Sequence, residues 1–289
     1  MQRPSPTRTP EETIALAKRN IWYTRLWWVV LHAAVYAWLV HSSAWSAYFN
    51  QWATGMATCL GLAVATGGSY VCLQCSSPGF VKQVKRSDEV DDAVDDAVAT
   101  DDSNASLLDE ITARHFCAFC NVHPPLRAKH CKDCGRCVEQ YDHHCVCAGV
   151  CVGRDNHRIF VLYLLLETVE TFWVATIAAA SMSFQDSAEA WFAANTAFVL
   201  IWFLSGLSFL VAFGLLCYHA FLISTNQSSW EHAKRANITY LKDLPDDKLP
   251  FSQGTLVNTM LFLRGQPRDV WVLSDANPYA EDAAIADVV

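Results

Sequence analysis

The chain has 289 residues, of which 52% are hydrophobic and 17% charged, with 11 Trp, 15 Phe and a formal net charge of −8. That balance speaks against nucleic acid as a partner, because binding phosphates needs a dense basic face. The apolar residues gather in four blocks, roughly 26–45, 52–74, 159–182 and 191–223, which argues against an ordinary soluble domain.

In chain order, residues 1–25 form a polar N-terminal segment with Arg3, Arg8, Lys18, Arg19 and Arg25. Each apolar block that follows matches the ~20 residues a helix needs to cross a bilayer, and Trp and Tyr mark the block edges. The 25 residues before block one, and the lack of a small-x-small site, argue against a cleaved signal peptide. Lys82, Lys85 and Arg86 follow block two, Arg154 and Arg158 precede block three, and Lys234 and Arg235 follow block four. The connections HSSAWSAYFNQ and SFQDSAEA carry no Lys or Arg. By the positive-inside rule both termini and the central loop are cytosolic. The expected architecture is an all-α integral membrane protein: four transmembrane helices, with a small cytosolic cysteine-rich zinc-binding domain between helices 2 and 3. The expected divisions are 1–25 (N-terminal segment), 26–75 (helices 1 and 2), 76–116 (linker), 117–156 (cysteine-rich domain), 157–223 (helices 3 and 4) and 224–289 (cytosolic C-terminal region).

Within the linker, residues 87–110 hold ten carboxylates and no basic residue, a composition that stays solvated. Of the 12 cysteines, eight fall between positions 117 and 151. Cys59 and Cys217 lie inside helices, where apolar packing is the expected role, and Cys72 and Cys75 end block two. In a reducing cytosol, crowded cysteines indicate metal ligation or thiol chemistry. The segment reads CAFCNVHPPLRAKHCKDCGRCVEQYDHHCVCAGVC. Zinc takes four N or S ligands, and CxxC pairs bring two sulfurs to one ion. Two closed sites can draw on Cys117, Cys120, Cys131, Cys134, Cys137, Cys151, His130 and either His143 or His144. One His and the pair Cys145 and Cys147 are then unassigned, so spacing leaves open which thiol is spare.

These residues resemble the DHHC family of membrane-bound protein S-acyltransferases, often called palmitoyltransferases. The family pattern is CxxC, nine residues, HCxxCxxC, four residues, DHHC, five residues, C, then Asn and Phe. Cys117, Cys120, His130, Cys131, Cys134, Cys137, Asp142, His143, His144, Cys145, Cys151, Asn156 and Phe160 follow it without a gap. SPG (77–79), NQSSWE (226–231) and FSQGTLVN (251–258) are similar to the family's DPG, TTxE and C-terminal Asn motifs.

The resemblance implies two interleaved Cys3His sites for two structural Zn2+ ions: Cys117, Cys120, His130 and Cys137, then Cys131, Cys134, His144 and Cys151. It also implies Cys145 as nucleophile, His143 as its base and Asp142 as the acid orienting the imidazole. The implied reaction moves a fatty acyl group (palmitate) from acyl-CoA, the co-substrate, through acyl-Cys145 to substrate proteins with cytosolic juxtamembrane cysteines. Its partners are those proteins, acyl-CoA and the lipid bilayer, in Golgi or endoplasmic reticulum. The chain departs from the family at Val146, Cys147 and Val150, where Pro, Trp and Asn are common. That motivates the alternative of a catalytically impaired, membrane-anchored zinc-binding adaptor. Cys147 is expected as packing or as a second thiol.

Glu167 and Glu170 sit on one face of block three, and carboxylates at such depth face a bundle interior or a partner. A Glu167–His32 pair is expected, with Glu170 protonated. The family's inward helix residues line an acyl cavity, so these carboxylates are read either as a polar floor that favours shorter chains or as plain inter-helix hydrogen bonding. His115, His123 and His157 have no fitted role, and Arg127, Lys129, Lys132 and Arg136 are read as solvated charge or as contacts for CoA phosphates.

Overall fold

A computed structural model of the chain describes residues 10–50, 53–82, 116–242 and 244–273. Arg3, Arg8, Lys85, Arg86, the acidic run 87–110 and His115 lie outside the described residues.

The molecule is mostly helical. Helix α1 spans Pro10–His41, α2 Ala44–Tyr48 and α3 Ala53–Cys75. After the cysteine-rich region come α4 (His157–Ala180), α5 (Ala188–Thr225), α6 (Ser229–Lys234) and α7 (Thr255–Arg264). Among the described residues, three helical stretches are long and apolar enough to cross a membrane: Thr54–Cys75, His157–Ala180 and Ala188–Thr225. Block one is helical to His41, and its expected end at residue 45 is broken by a turn at Ser42 and Ser43, the latter at φ 59°.

Helices α4 and α5 pack most extensively on each other, and α3 packs against α4. Helix α5 exposes Leu200, Trp202, Phe203, Leu207, Leu210 and Val211, apolar surface that water would not tolerate but hydrocarbon would. At one end Leu39, Trp45, Phe49, Val174 and Ile177 form a core. At the other, Tyr70, Leu73, Phe160 and Leu164 pack with Val152 and the partly buried Cys145. The second core seats the cysteine-rich region on the helix ends.

That region departs from the all-α expectation. It consists of two antiparallel hairpins, β1 (Lys129–Cys131) with β2 (Arg136–Val138), and β3 (His143–Cys145) with β4 (Val150–Val152). Segments this short, rich in Cys and turns, lack the apolar stripe that would hold a helix, and their order comes from cross-strand pairing and ligand geometry. Ser77 does the local work expected of an Asp: its Oγ accepts from Gly79 N at 3.2 Å, and Gly79 (φ 88°) turns the chain so that Phe80 bridges Val138.

Candidate functional site

Side chains alternate across a strand, and here that alternation sorts the ligands. His130 and Cys137 are cross-strand partners, as are His144 and Cys151. Next to His130 on β1, Cys131 faces the other way, so one strand feeds two clusters. On β3, His144 points to the second cluster while His143 and Cys145 share the opposite face.

The clusters that result are Cys117, Cys120, His130, Cys137 and Cys131, Cys134, His144, Cys151, with the ligand atoms of each within 4.8 Å of one another. Zn–S near 2.3 Å and Zn–N near 2.0 Å at a tetrahedral angle put S and N about 3.5 Å apart. His130 Nδ1 lies 3.6, 3.2 and 4.0 Å from the sulfurs of Cys117, Cys120 and Cys137. His144 Nδ1 lies 3.6, 3.5 and 3.5 Å from those of Cys131, Cys134 and Cys151. Both donor sets fit a structural zinc ion.

The backbone around each CxxC repeats one turn. Asn121 N donates to Cys117 O (2.8 Å) and Gly135 N to Cys131 O (2.9 Å), with Asn121 and Gly135 at φ 54° and 65°. The same turn recurs after Cys145, where Gly149 N donates to Cys145 O at 2.7 Å and Gly149 has φ 67°. In this third turn the backbone amides of Cys147 and Ala148 face the Cys145 sulfur. Cys145 thus occupies a thiolate-binding turn outside both clusters.

Its imidazole partner is adjacent. His143 Nδ1 hydrogen-bonds Asp142 Oδ2 at 2.7 Å, leaving Nε2 free to serve the neighbouring Cys145 thiol, with which the imidazole interacts electrostatically. Asp142 is 1% exposed and accepts from Ser229 N (2.8 Å) and Ser229 Oγ (2.7 Å) as well. Burial alone would raise this carboxyl, but the imidazoles of His157 and His143 hold it well below the usual carboxylate range. Burial alone would lower His143, but Asp142 and the Cys145 sulfur push it up to about 9. The Cys145 thiol is raised by burial and lowered more by His143 and the turn amides, so it falls below its ordinary value. The arrangement favours a thiolate–imidazolium pair.

Cys147 differs. The residue is exposed, so it does not serve as core packing, while partial desolvation and the neighbouring Cys145 charge raise its thiol. Val146 is also exposed, while Val150 packs against the second core.

Some features were not legible beforehand. His157, which had no fitted role, and His219, which carried no signal at all, converge on Asp142: the three ligand atoms lie within 4.8 Å, and His157 Nε2 is 3.0 Å from His219 Nδ1. At about 1.5 Å rise per residue, the 38-residue α5 is longer than a hydrocarbon core, and its far end carries His219 to the site. Arg127 is not a phosphate contact. It is 3% exposed and forks onto Glu231 at 2.8 and 2.7 Å. Glu231 also closes a capping box with Ser228, which starts α6 and aims Ser229 at Asp142. Lys129 lies over the rings of Tyr141 and Trp230, and Arg136 over Phe80.

A family model described as DHHC palmitoyltransferase matches residues 110–236. Palmitoyltransferase ZDHHC12 of Homo sapiens is 32% identical over 203 residues, covering 70% of this chain and 72% of its own length. A ZDHHC-type palmitoyltransferase of Dictyostelium discoideum is 41% identical over 169 residues, 57% of this chain and 38% of its own. Protein S-acyltransferase 10 of Arabidopsis thaliana is 38% identical over 138 residues, 48% of this chain and 40% of its own. The chain thus spans about two fifths of the length of the latter two. It belongs to the DHHC palmitoyltransferase family.

Proposed function

We propose that the chain is a protein-cysteine S-acyltransferase, with Cys145 as nucleophile, His143 as base and Asp142 as the group orienting His143. The observation that carries this reading is the position of Cys145. It sits in a thiolate-binding turn beside a hydrogen-bonded His–Asp pair, while the two neighbouring clusters account for every other cysteine of the segment except the exposed Cys147.

The Cys145 thiolate attacks the thioester carbonyl of an acyl-CoA, the C–S bond to CoA breaks, and CoA leaves as a thiol after taking a proton from His143. A substrate cysteine then gives its proton to His143 and attacks acyl-Cys145, which restores the thiolate. One thioester replaces another at each step, so positioning and activation supply the rate. The two zinc ions, held by Cys117, Cys120, His130, Cys137 and by Cys131, Cys134, His144, Cys151, supply rigidity to the hairpins.

Four membrane crossings, with α1 as the first, fit the aromatic-rich sequence of that helix, and Lys and Arg placement puts both termini in the cytosol. The domain divisions, with the cysteine-rich domain at 117–156, and a Golgi or endoplasmic reticulum location belong to the same reading. Its protein substrates carry juxtamembrane cysteines, because Cys145 packs at the ends of the helices. Glu170, which accepts from Tyr36 Oη at 2.6 Å, supports a polar cavity floor that favours shorter acyl chains.

Purified protein incubated with labelled palmitoyl-CoA tests the chemistry. Hydroxylamine-sensitive label on wild type and Cys147→Ser but not on Cys145→Ser is the expected result. An adaptor without catalysis would take no label from acyl-CoAs of any length while keeping its zinc.

A further inference from the structure

The cavity at the middle of the helical bundle is lined by Leu31, Val35, Val174, Leu204 and hydroxyl-bearing side chains, yet three metal-ligating groups converge on it. They are His32 of α1 and Glu167 and Glu170 of α4, with ligand atoms within 4.8 Å of one another. This cluster is apart from Cys145, His143 and Asp142, and it forms the polar floor of the acyl cavity proposed above.

His32 comes with its tautomer set. Its Nδ1 lies 2.8 Å from the carbonyl of Trp28, an acceptor only, so Nδ1 carries the hydrogen and the Nε2 lone pair is free. Nε2 faces Glu167 Oε1 at 3.7 Å. A backbone carbonyl holding one ring nitrogen while the other faces carboxylates is the usual outer-shell support of a metal-bound His. Tyr36 plays the matching part for Glu170, holding Oε1 at 2.6 Å.

The second oxygens carry the argument further. Glu170 is 2% exposed and Glu167 8% exposed, and Oε2 of each is buried without a hydrogen-bond partner. Acceptors of that kind are rare inside proteins and costly, more so between membrane helices. The cavity, about 50 Å³, has room for an ion and a few waters, one water needing roughly 10–15 Å³.

We propose that His32, Glu167 and Glu170 bind a divalent transition-metal cation of the zinc type. One neutral imidazole and two carboxylates cancel its charge, and water completes the shell. The imidazole argues for such a metal over magnesium or calcium, which favour all-oxygen shells.

Cobalt(II) is the probe. Full-length protein in detergent, its cysteine clusters loaded with zinc, is titrated with cobalt. Wild type should take up one further equivalent with weak d–d absorption and no thiolate charge-transfer band. Glu170→Gln and His32→Gln, which preserve size and polarity, should lose that equivalent while retaining the clustered zinc. Tyr36→Phe, which leaves the ligands in place, should weaken it about tenfold. Two results overturn the proposal: no thiolate-free cobalt in wild type, or uptake unchanged in the His32 and Glu170 variants. The first would leave the cluster as a hydrogen-bonded set sharing a proton.

Discussion

At the scale of single residues, the site is a chain of charge and hydrogen bonds in which Ser229 is the hinge. It offers two of the three donors to the Asp142 carboxylate, through its backbone N–H and its hydroxyl. A hydrogen bond to a charged group contributes about 1.5–3 kcal/mol, roughly 10-fold or more in rate where the carboxylate orients the base. Ser229→Ala should therefore slow autoacylation by about 10-fold or more at unchanged zinc content, while Ser229→Thr restores it; initial rates of label incorporation provide the check. Asp142→Asn should cost more, because it leaves His143 without the charge that stabilises its imidazolium.

Among secondary-structure elements, the short helix α6 matters through what anchors it. Arg127 and Glu231 are both nearly inaccessible and paired at 2.7 Å. Removing one partner strands a buried charge, at a cost of about 3–5 kcal/mol, whereas replacing both with apolar residues costs far less. Glu231→Leu and Arg127→Met should each lower the unfolding midpoint strongly, and the double variant should recover much of the loss, as thermal denaturation in detergent would show. The hairpins have their own tight point at Gly153, where a Cβ would lie 2.5 Å from Pro78 O and 2.5 Å from Val138 Cγ1. Gly153→Ala should separate the cysteine-rich region from the end of α3, and limited proteolysis would reveal it.

For the whole molecule, two kinds of cohesion divide the work. Hydrophobic packing among α3, α4 and α5 holds the bundle, while the hairpins contain too little apolar surface to fold unaided. Zinc in the two clusters would supply the missing stability, since metal binding in small zinc modules is worth about 10–16 kcal/mol per ion. Chelation should therefore expose the clustered cysteines to alkylation and abolish acyl transfer, with helical circular dichroism largely retained. Loss of the helical signal together with zinc would show that the bundle depends on the hairpins.

How much of this was written in the sequence follows from how local each signal is. Hydropathy located the long apolar helices, because burial in lipid demands such runs, and Cys and His spacing marked a pool of metal ligands without dividing it into two sites. Convergence of separate segments was not legible in composition or spacing. That His219 at the end of α5 reaches Asp142, that Arg127 turns inward to Glu231, and that Tyr36 reaches Glu170 across 134 positions depend on how helices pack. By itself the sequence determined the apolar runs and the pool of candidate ligands, which composition and spacing dictate, while the division of that pool into two sets came from the family resemblance. Only the tertiary structure decided which polar side chains share a buried site, since burial makes each of them seek a partner wherever in the chain it lies.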